Sequence, residues 1–448
     1  MPDPSYETIA ETASSSDPTL HRVLIVGGGA AGLRLASLLG ASRRMRRKAS
    51  ITLLEKSLIH VWKPLLHEVA SGSFDSETDS VELLAHARRR HYRYRIGEMI
   101  GLNRAKRQIY AAPWHDEGGE AVIPPRVLGY DTLIIAVGSL ANDFGTPGVM
   151  EHAITLDTLD QAVRFNRRMI NACLRANAQY EPLRPGQLHC AIVGAGATGV
   201  ELAAELHKSM RDVASYNLDR IDFDKHIKID LIEAAPRILP ALPENLAEAT
   251  AKVLRDLGVN IRTGTRVMEV RAGAVALEGG ETIPAELIVW AAGIKAPDFL
   301  RELDGLESDR LNRLVVRPTL QTTRDDDVFA IGDCSSCTLP GAAGPLPPRA
   351  QTAHQEADFM VRVVKARLRG EPLPQFKYHD FGSLVSLADY NTLGVILNNV
   401  TMQGLIARLA YRSLHKRHLQ AVHGNFKVAL DTLIELATHR TEPRIKLH

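Results

Sequence analysis

Residues 21–39 read HRVLIVGGGAAGLRLASLL, and the succession of residue types along them decides the fold. An apolar run, Val23 to Val26, has the pattern of a buried parallel strand. It passes straight into Gly27, Gly29 and Gly32 at G-x-G-x-x-G spacing, and an Ala/Leu-rich helix follows. Each glycine has a separate duty there: a tight turn, close backbone approach to a pyrophosphate, and close packing of helix on strand. The helix start then offers free N–H groups and the positive end of its dipole to phosphate. A second strand, ITLLEK, closes on Glu55, whose carboxylate suits ribose hydroxyls. The glycine spacing alone is weak evidence. Strand, glycines, helix, strand and terminal acid in that order are strong evidence for a dinucleotide-binding unit.

The device recurs. HCAIVGAGATGVELAAEL (189–206) places Gly194, Gly196 and Gly199 at the same spacing, and its partner strand KIDLIEAAPRILP (228–240) ends in Glu233. A polar stretch over 208–226 lengthens the connection. An acid at the end of that strand repels a 2′-phosphate, so this unit is expected to prefer NADH to NADPH. A third motif, TTRDDDVFAIGDCSS (322–336), puts Gly332 and Asp333 at the carboxyl end of an apolar strand, Val328 to Ile331. In flavoproteins with two such units, an Asp there bonds the ribityl chain while an adjacent helix N-terminus faces the flavin. YDTLIIAVGS and ELIVWAAGIK are apolar strands closing on Gly138 and Gly293, the pattern of a strand that returns the chain to the neighbouring unit. The expected architecture is α/β, with two Rossmann-like dinucleotide-binding domains, the second inserted in the first. A leader over 1–20 precedes an FAD-binding first part (21–155), an NADH-binding domain (156–308), a second FAD-binding part (309–390) and a C-terminal segment (391–448).

Length and composition agree. A chain of 448 residues is too long for one ordinary core, and 45% hydrophobic with 24% charged residues is globular composition. A net charge of +2 gives no reason to expect nucleic acid as a partner. Cys173, Cys190, Cys334 and Cys337 do not form a disulfide framework, and a reducing compartment is expected. Cys334 and Cys337 stand as C-x-x-C, but nothing supplies two further ligands, so no metal is expected and a structural thiol pair is favoured. No apolar run reaches the ~18 residues of a spanning helix. The first 20 residues lack the charged and apolar regions of a secretion signal and read as a disordered leader.

Residues 60–72, HVWKPLLHEVASG, lie where disulfide reductases built on two such units carry C-x4-C, and they hold no cysteine. A reduced flavin in this chain would have no protein disulfide beside it, so its electrons would go to an external acceptor. This stretch, together with NDFGTPGV (142–149), PRILPALP (236–243), WAAGIKAPDFL (290–300) and PPRAQTAHQ (347–355), resembles the bacterial type II NADH dehydrogenases, non-proton-pumping NADH:quinone oxidoreductases of respiratory membranes. The resemblance runs from about His21 to the end of the chain. It implies tightly bound, non-covalent FAD, NADH as exchanging substrate, and a membrane quinone, ubiquinone or menaquinone, as acceptor. It also implies a peripheral place on the cytoplasmic face of the bacterial inner membrane, with a homodimer as an option.

Residue by residue, it implies that Gly27, Gly29, Gly32 and Glu55 hold the adenosine diphosphate half of FAD. Lys63 and Pro64 lie along the flavin, Gly138 closes the strand beside it, and Asp333 holds the ribityl chain. Gly194, Gly196, Gly199 and Glu233 take NADH, with Gly293 beside it. Gln351 and Gln355, four apart and so on one helix face, lie on the quinone side, where their amides would donate to a quinone carbonyl. Glu201 is expected in the first turn of the second unit's helix. There the dipole would keep it ionised and structural, whereas the resemblance implies a proton relay; both readings stay open. His60, His67 and His354 read as hydrogen-bonded packing residues near the flavin, since hydride transfer from NADH needs no acid or base. Arg43 to Lys48 read as the solvated end of the first helix. A disulfide or sulfide oxidoreductase, and a non-enzymatic NADH sensor, are the rival readings.

The last 48 residues are distinct, with eight Lys or Arg against three acids. Over 405–419, Ile406, Leu409, Ala410 and Leu414 fall on one arc, and Arg408, Arg412, His415 and Lys416 on the opposite one. Such an amphipathic helix suits attachment to an anionic bilayer surface. NFKVALDTLIELA (425–437) has an apolar side too, but Asp431 and Glu435 favour packing on the body or across a dimer.

Overall fold

The computed structural model describes residues 11–12, 17–74, 80–116, 118–216, 218–396 and 400–423. The helices that organise the site are, in chain order, α1 (Ala30–Ala41), α2 (Leu66–Ser71), α3 (Leu159–Ala178), α4 (Ala197–Ala214), α5 (Ala350–Arg367) and α6 (Leu405–His423).

Two five-stranded parallel sheets carry the chain. The first runs Val328–Ala330, Thr132–Ile135, His21–Val26, Ala49–Glu55, Arg93–Ile96, so its strands come from both sides of the insertion. The second runs Ile154–Thr155, Leu287–Trp290, His189–Val193, Lys228–Ile232, Asn260–Arg262. Val23 to Val26 and Cys190 to Val193 are buried on both faces, as near-continuous apolar runs in a parallel sheet should be. Helices α1 and α5 pack on the first sheet around Leu33, Leu35, Phe359 and Met360. Helices α3 and α4 pack on the second around Phe165, Met169, Leu202 and Leu206. The chain changes body at a short antiparallel pair, Leu140–Ala141 with Ile294–Lys295.

Some expectations shift. Ile154–Thr155 already belongs to the second sheet, and Ala296, Leu300 and Leu303 already belong to the first core, so the insertion starts and ends earlier than 156–308. The leader is not wholly without structure: Glu11–Thr12 pairs in parallel with Val127 and Leu128. Arg43–Arg46 is a separate four-residue helix capped by Ser42, with Met45 buried, rather than the end of α1. Gly382–Leu387, Asn391–Ile396 and Val400–Gln403 form an antiparallel sheet whose Val385, Leu387, Leu393 and Val395 join the second core, so the C-terminal segment begins as part of the body.

Helix α6 turns the described part of its expected aliphatic arc outward. Leu405, Ile406 and Leu409 are 72%, 68% and 59% exposed, while Ala407 is fully buried and Arg408 is tied to Asp389 at 2.7 Å. The helix seats on the body through its small residue and a salt bridge and turns aliphatic side chains outward. The side chains of Arg412, Leu414 and His415, and the whole of 425–437, lie outside the described residues. Among the described residues, no helix is long and apolar enough to cross a membrane.

A Cβ on Gly32 would stand 1.9 Å from the Gly27 carbonyl oxygen, whereas one on Gly29 would meet nothing within 4 Å. Denaturation of the ligand-free chain should therefore separate the two. Gly32→Ala should cost about 1–3 kcal/mol or more, and Gly29→Ala should stay within about 0.5 kcal/mol of the parent. Equal midpoints for the two variants would show that the close contact is not there.

Candidate functional site

Both nucleotide units open on one cavity of about 620 Å³. The first contributes Gly27, Gly29 and Glu55; the second contributes Ala197, Thr198 and Glu201 of α4 and the Trp290–Gly293 strand end. Lys63, Pro64, Gly138 and Asp333 complete the sequence-derived residues on its wall. Gly32, Gly194, Gly196, Gly199 and Glu233 do not line it.

The two units solve the same local problem in the same way. Glu55 accepts from the backbone N–H of Gly28 (2.5 Å) and Ser57 (3.1 Å). Glu233 accepts from Ala195 and Ala235, each at 2.8 Å. Each carboxylate thus ties its strand end to the glycine loop and keeps lone pairs for hydroxyls. Gly29 and Gly196 cap their helices without a side-chain bond, and a Cβ on either would meet nothing within 4 Å. That bare approach to uncapped N–H groups is a cradle for a pyrophosphate, so the residues fit FAD in the first unit and a nicotinamide dinucleotide in the second.

Across the cavity the segments are tied together by polar contacts. Lys63 Nζ donates to the Ser139 carbonyl (2.7 Å) and to Asp157 Oδ1 (3.1 Å), and Ser139 Oγ donates to Asp333 Oδ2 (2.9 Å). Asp157 also accepts from the Ala141 N–H at 3.0 Å. Sequence reasoning missed Asp157 and Ser139. The Thr158/Gln161 capping box that starts α3 was the available signal for the first. Glu356 was missed too: fully buried on α5, it accepts from the Gly332 N–H beside Asp333, and burial pushes its carboxyl up to about 8.

Gln351 and Gln355 sit on α5 as expected, but their amides face another way. Gln351 Nε2 donates to Asp380 (3.1 Å) and the Gly382 carbonyl (3.0 Å), Gln355 Nε2 donates to the His379 carbonyl (2.8 Å), and their oxygens accept from Phe381 and His379 N–H. They clamp the 379–382 segment and do not line the cavity; Arg349, Ala350 and Ala353 do.

Glu201 is the fifth residue of α4, past the free N–H groups of the first turn, so the dipole does not decide its charge. Burial does, raising its carboxyl to about 8 despite hydrogen bonds from the Ser386 N–H (3.0 Å) and the Tyr411 hydroxyl, with Glu68 and Glu205 adding to the rise. His67 is buried between Glu201 and Glu68, and desolvation lowers it to about 4, so it is neutral. His60 is also buried. His354 lies 5.2 Å, ring to ring, from Trp62. The thiols of Cys334 and Cys337 are buried and pushed up to about 12, and none of the four cysteines lines the cavity.

Known proteins share this construction. Residues 21–357 match the family model described as pyridine nucleotide-disulphide oxidoreductase. A type II NADH:quinone oxidoreductase of Haemophilus influenzae is 39% identical over 447 residues, 96% of this chain and 100% of that one. One from Staphylococcus aureus is 27% identical over 381 residues, 84% and 90% of the two chains. Among solved structures, NDH2 from Plasmodium falciparum in complex with NADH superposes with a TM-score of 0.79 at 19% identity, covering 95% and 100%. The sulfide:quinone oxidoreductase of Aquifex aeolicus gives 0.67 at 16%, covering 94% and 96%. At those identities the two structures speak for the fold.

The raised carboxyls make a pH signature. An unfolded glutamate ionises near its ordinary value while the buried one holds its proton to about 8, so this contribution to stability is present at low pH and lost as pH rises through that value. Glu201→Gln should therefore melt a few degrees above the parent at about pH 8.5 and no higher than it at about pH 4.5. A difference independent of pH would contradict the assignment.

Proposed function

We infer the function from one premise: the chain belongs to the pyridine nucleotide-disulphide oxidoreductase family and, within it, to the type II NADH:quinone oxidoreductases. It is an FAD-dependent NADH:quinone oxidoreductase of respiratory electron transport, taking hydride from NADH and passing two electrons to a quinone. The observation that carries this for the present chain is the shared cavity. The first unit's glycine loop and the start of the second unit's helix, Ala197 and Thr198, open on it, and no cysteine of the chain lines it.

When bound, FAD supplies the two-electron chemistry. The chain's own residues place it. Gly27, Gly29 and Gly32 receive the pyrophosphate on the α1 N-terminus, Glu55 the ribose, and Asp333, oriented by Ser139, the ribityl chain. Lys63, fixed by Asp157 and the Ser139 carbonyl, sets a positive charge against the cofactor, where it favours the reduced, anionic side of the reaction. Gly194, Gly196, Gly199 and Glu233 take NADH, which reaches the cavity past Gly293. Gln351 and Gln355 serve the quinone side by holding residues 379–382 in place. FAD stays non-covalently and NADH exchanges. The acceptor is a membrane quinone, ubiquinone or menaquinone, and transfer proceeds without proton pumping. The exposed Leu405, Ile406 and Leu409 of α6 rest in a bilayer surface on the cytoplasmic side of the bacterial inner membrane. A homodimer is compatible with this placement.

Flavin-loaded protein should oxidise NADH much faster with a short-chain quinone than without. Turnover that required a disulfide or sulfide instead would sink the reading. Glu233→Gln should raise kcat/KM for NADPH relative to NADH by about tenfold, equivalent to 1.4 kcal/mol. No change in that ratio would remove Glu233 from the nucleotide site.

A further inference from the structure

NADH carries one hydride, and reducing a quinone to a quinol takes two electrons and two protons. The reaction NADH + H⁺ + quinone → NAD⁺ + quinol therefore draws one proton from solvent in each turnover. Glu201 lines the cavity but is itself only 7% exposed, so a proton that recharges it has to come through the side chains packed against it. Glu201 is the carboxyl on the cavity wall that holds a proton at neutral pH, and it needs a source.

The α2 residue that stands against Glu201 Oε2, His67, lies in the stretch that replaces the cysteines of disulfide reductases. His67 is 2% exposed. Its Nδ1 stands 3.9 Å from Glu201 Oε2, and its Nε2 stands 3.9 Å from Glu68 Oε1. Among the described residues Nε2 has no hydrogen-bond partner, although it is buried. The ring also bonds the Pro64 carbonyl. With Nε2 unpartnered, that bond belongs to Nδ1–H, which leaves Nε2 as a buried, bare acceptor aimed at Glu68. An orphaned buried acceptor of this kind is unfavourable to folding, a cost that a residue serving packing alone need not carry. The Glu68 side chain is 23% exposed and so reaches solvent.

Resting on the NADH:quinone reading, we propose that His67 relays the proton the reaction takes from solvent, passing it from Glu68 at the surface through its two ring nitrogens to Glu201 on the cavity wall. The steps balance. Glu201 first yields its proton to the quinone; Nδ1 then moves its own from the Pro64 carbonyl to the Glu201 carboxylate while Nε2 takes one from Glu68, which draws its replacement from solvent. The neutral ring is left with its proton on Nε2 and resets by turning over about Cβ–Cγ, which carries that proton to the Glu201 side and the bare nitrogen to the Glu68 side. Each gap closes by about 1 Å of side-chain rotation to reach hydrogen-bond length. The neutral state of His67 suits this, because a resting imidazolium would hold the proton rather than pass it.

The groups around the relay are arranged to keep Glu201 loaded. Glu68 on α2 and Glu205, one turn along α4, are both acidic and oppose its ionisation. The Tyr411 hydroxyl on α6 and the Ser386 N–H orient it. Lys208, Asp389 and Arg408 face Glu205 rather than His67. His67 acts through Glu201 and is a positioning and relay residue.

The test uses the flavin-loaded enzyme with His67→Gln and, separately, Glu68→Gln at the partly exposed position. NADH-driven turnover is measured with a short-chain quinone and with ferricyanide, a one-electron acceptor that takes no proton. In His67→Gln the quinone-to-ferricyanide ratio should fall at least about tenfold, and imidazole in the buffer should restore part of it. Glu68→Gln should lower the same ratio, more so as pH rises. A ratio that holds in either variant, or two rates that fall together without imidazole rescue, overturns the relay. Parent enzyme that reduces ferricyanide but no quinone overturns the functional reading instead, whatever the variants do.

Discussion

The contact on which the rest depends is the one between helix and strand at Gly32 and Gly199. At both, a Cβ would lie 1.9 Å from the carbonyl oxygen of the loop glycine five residues back, Gly27 or Gly194. Only a bare Cα lets α1 and α4 start so close to their strands. That proximity turns the uncapped N–H groups of two helices toward one cavity and lets Glu55 and Glu233 bridge to their own glycine loops. Two copies of one constraint thus set two helix N-termini on one cavity.

A second theme is burial overriding local charge. Glu201, Glu356 and His67 are all held in the form without charge, because desolvation exceeds the hydrogen bonds each receives. The chain carries that penalty beside the cavity, where proton transfer is needed. Lys63, also on the cavity wall, remains half-exposed and paired with Asp157.

Much of this was legible in the sequence, and the reason is locality. The glycine loops, Glu55, Glu233 and Asp333 are fixed by residues within one turn of backbone, so their pattern carries their geometry. What depended on distant packing was not legible. The Gln351 and Gln355 amides share a helix face as their spacing requires, but that face is covered by residues 379–382, about 25 to 30 positions away in sequence. Glu201 followed the glycine motif, yet its charge is set first by burial and then by groups distant in sequence, among them Ser386 and Glu68 on α2. On α6, Ile406 and Leu409 share an exposed arc, and Ala407 and the Arg408–Asp389 pair, not the large aliphatics, meet the body. His67 looked like packing because nothing near it in sequence shows that Glu68 and Glu201 flank both ring nitrogens.

On the proposed function, one cavity serves NADH and quinone in turn through a single flavin. Double-mixing stopped flow tests it most directly: the flavin is reduced anaerobically with one equivalent of NADH and then mixed with a short-chain quinone. The account predicts rapid bleaching in the first phase and reoxidation in the second at a rate no slower than kcat. Flavin that is reduced by NADH but regains its colour only with a disulfide, and not with the quinone, would contradict it.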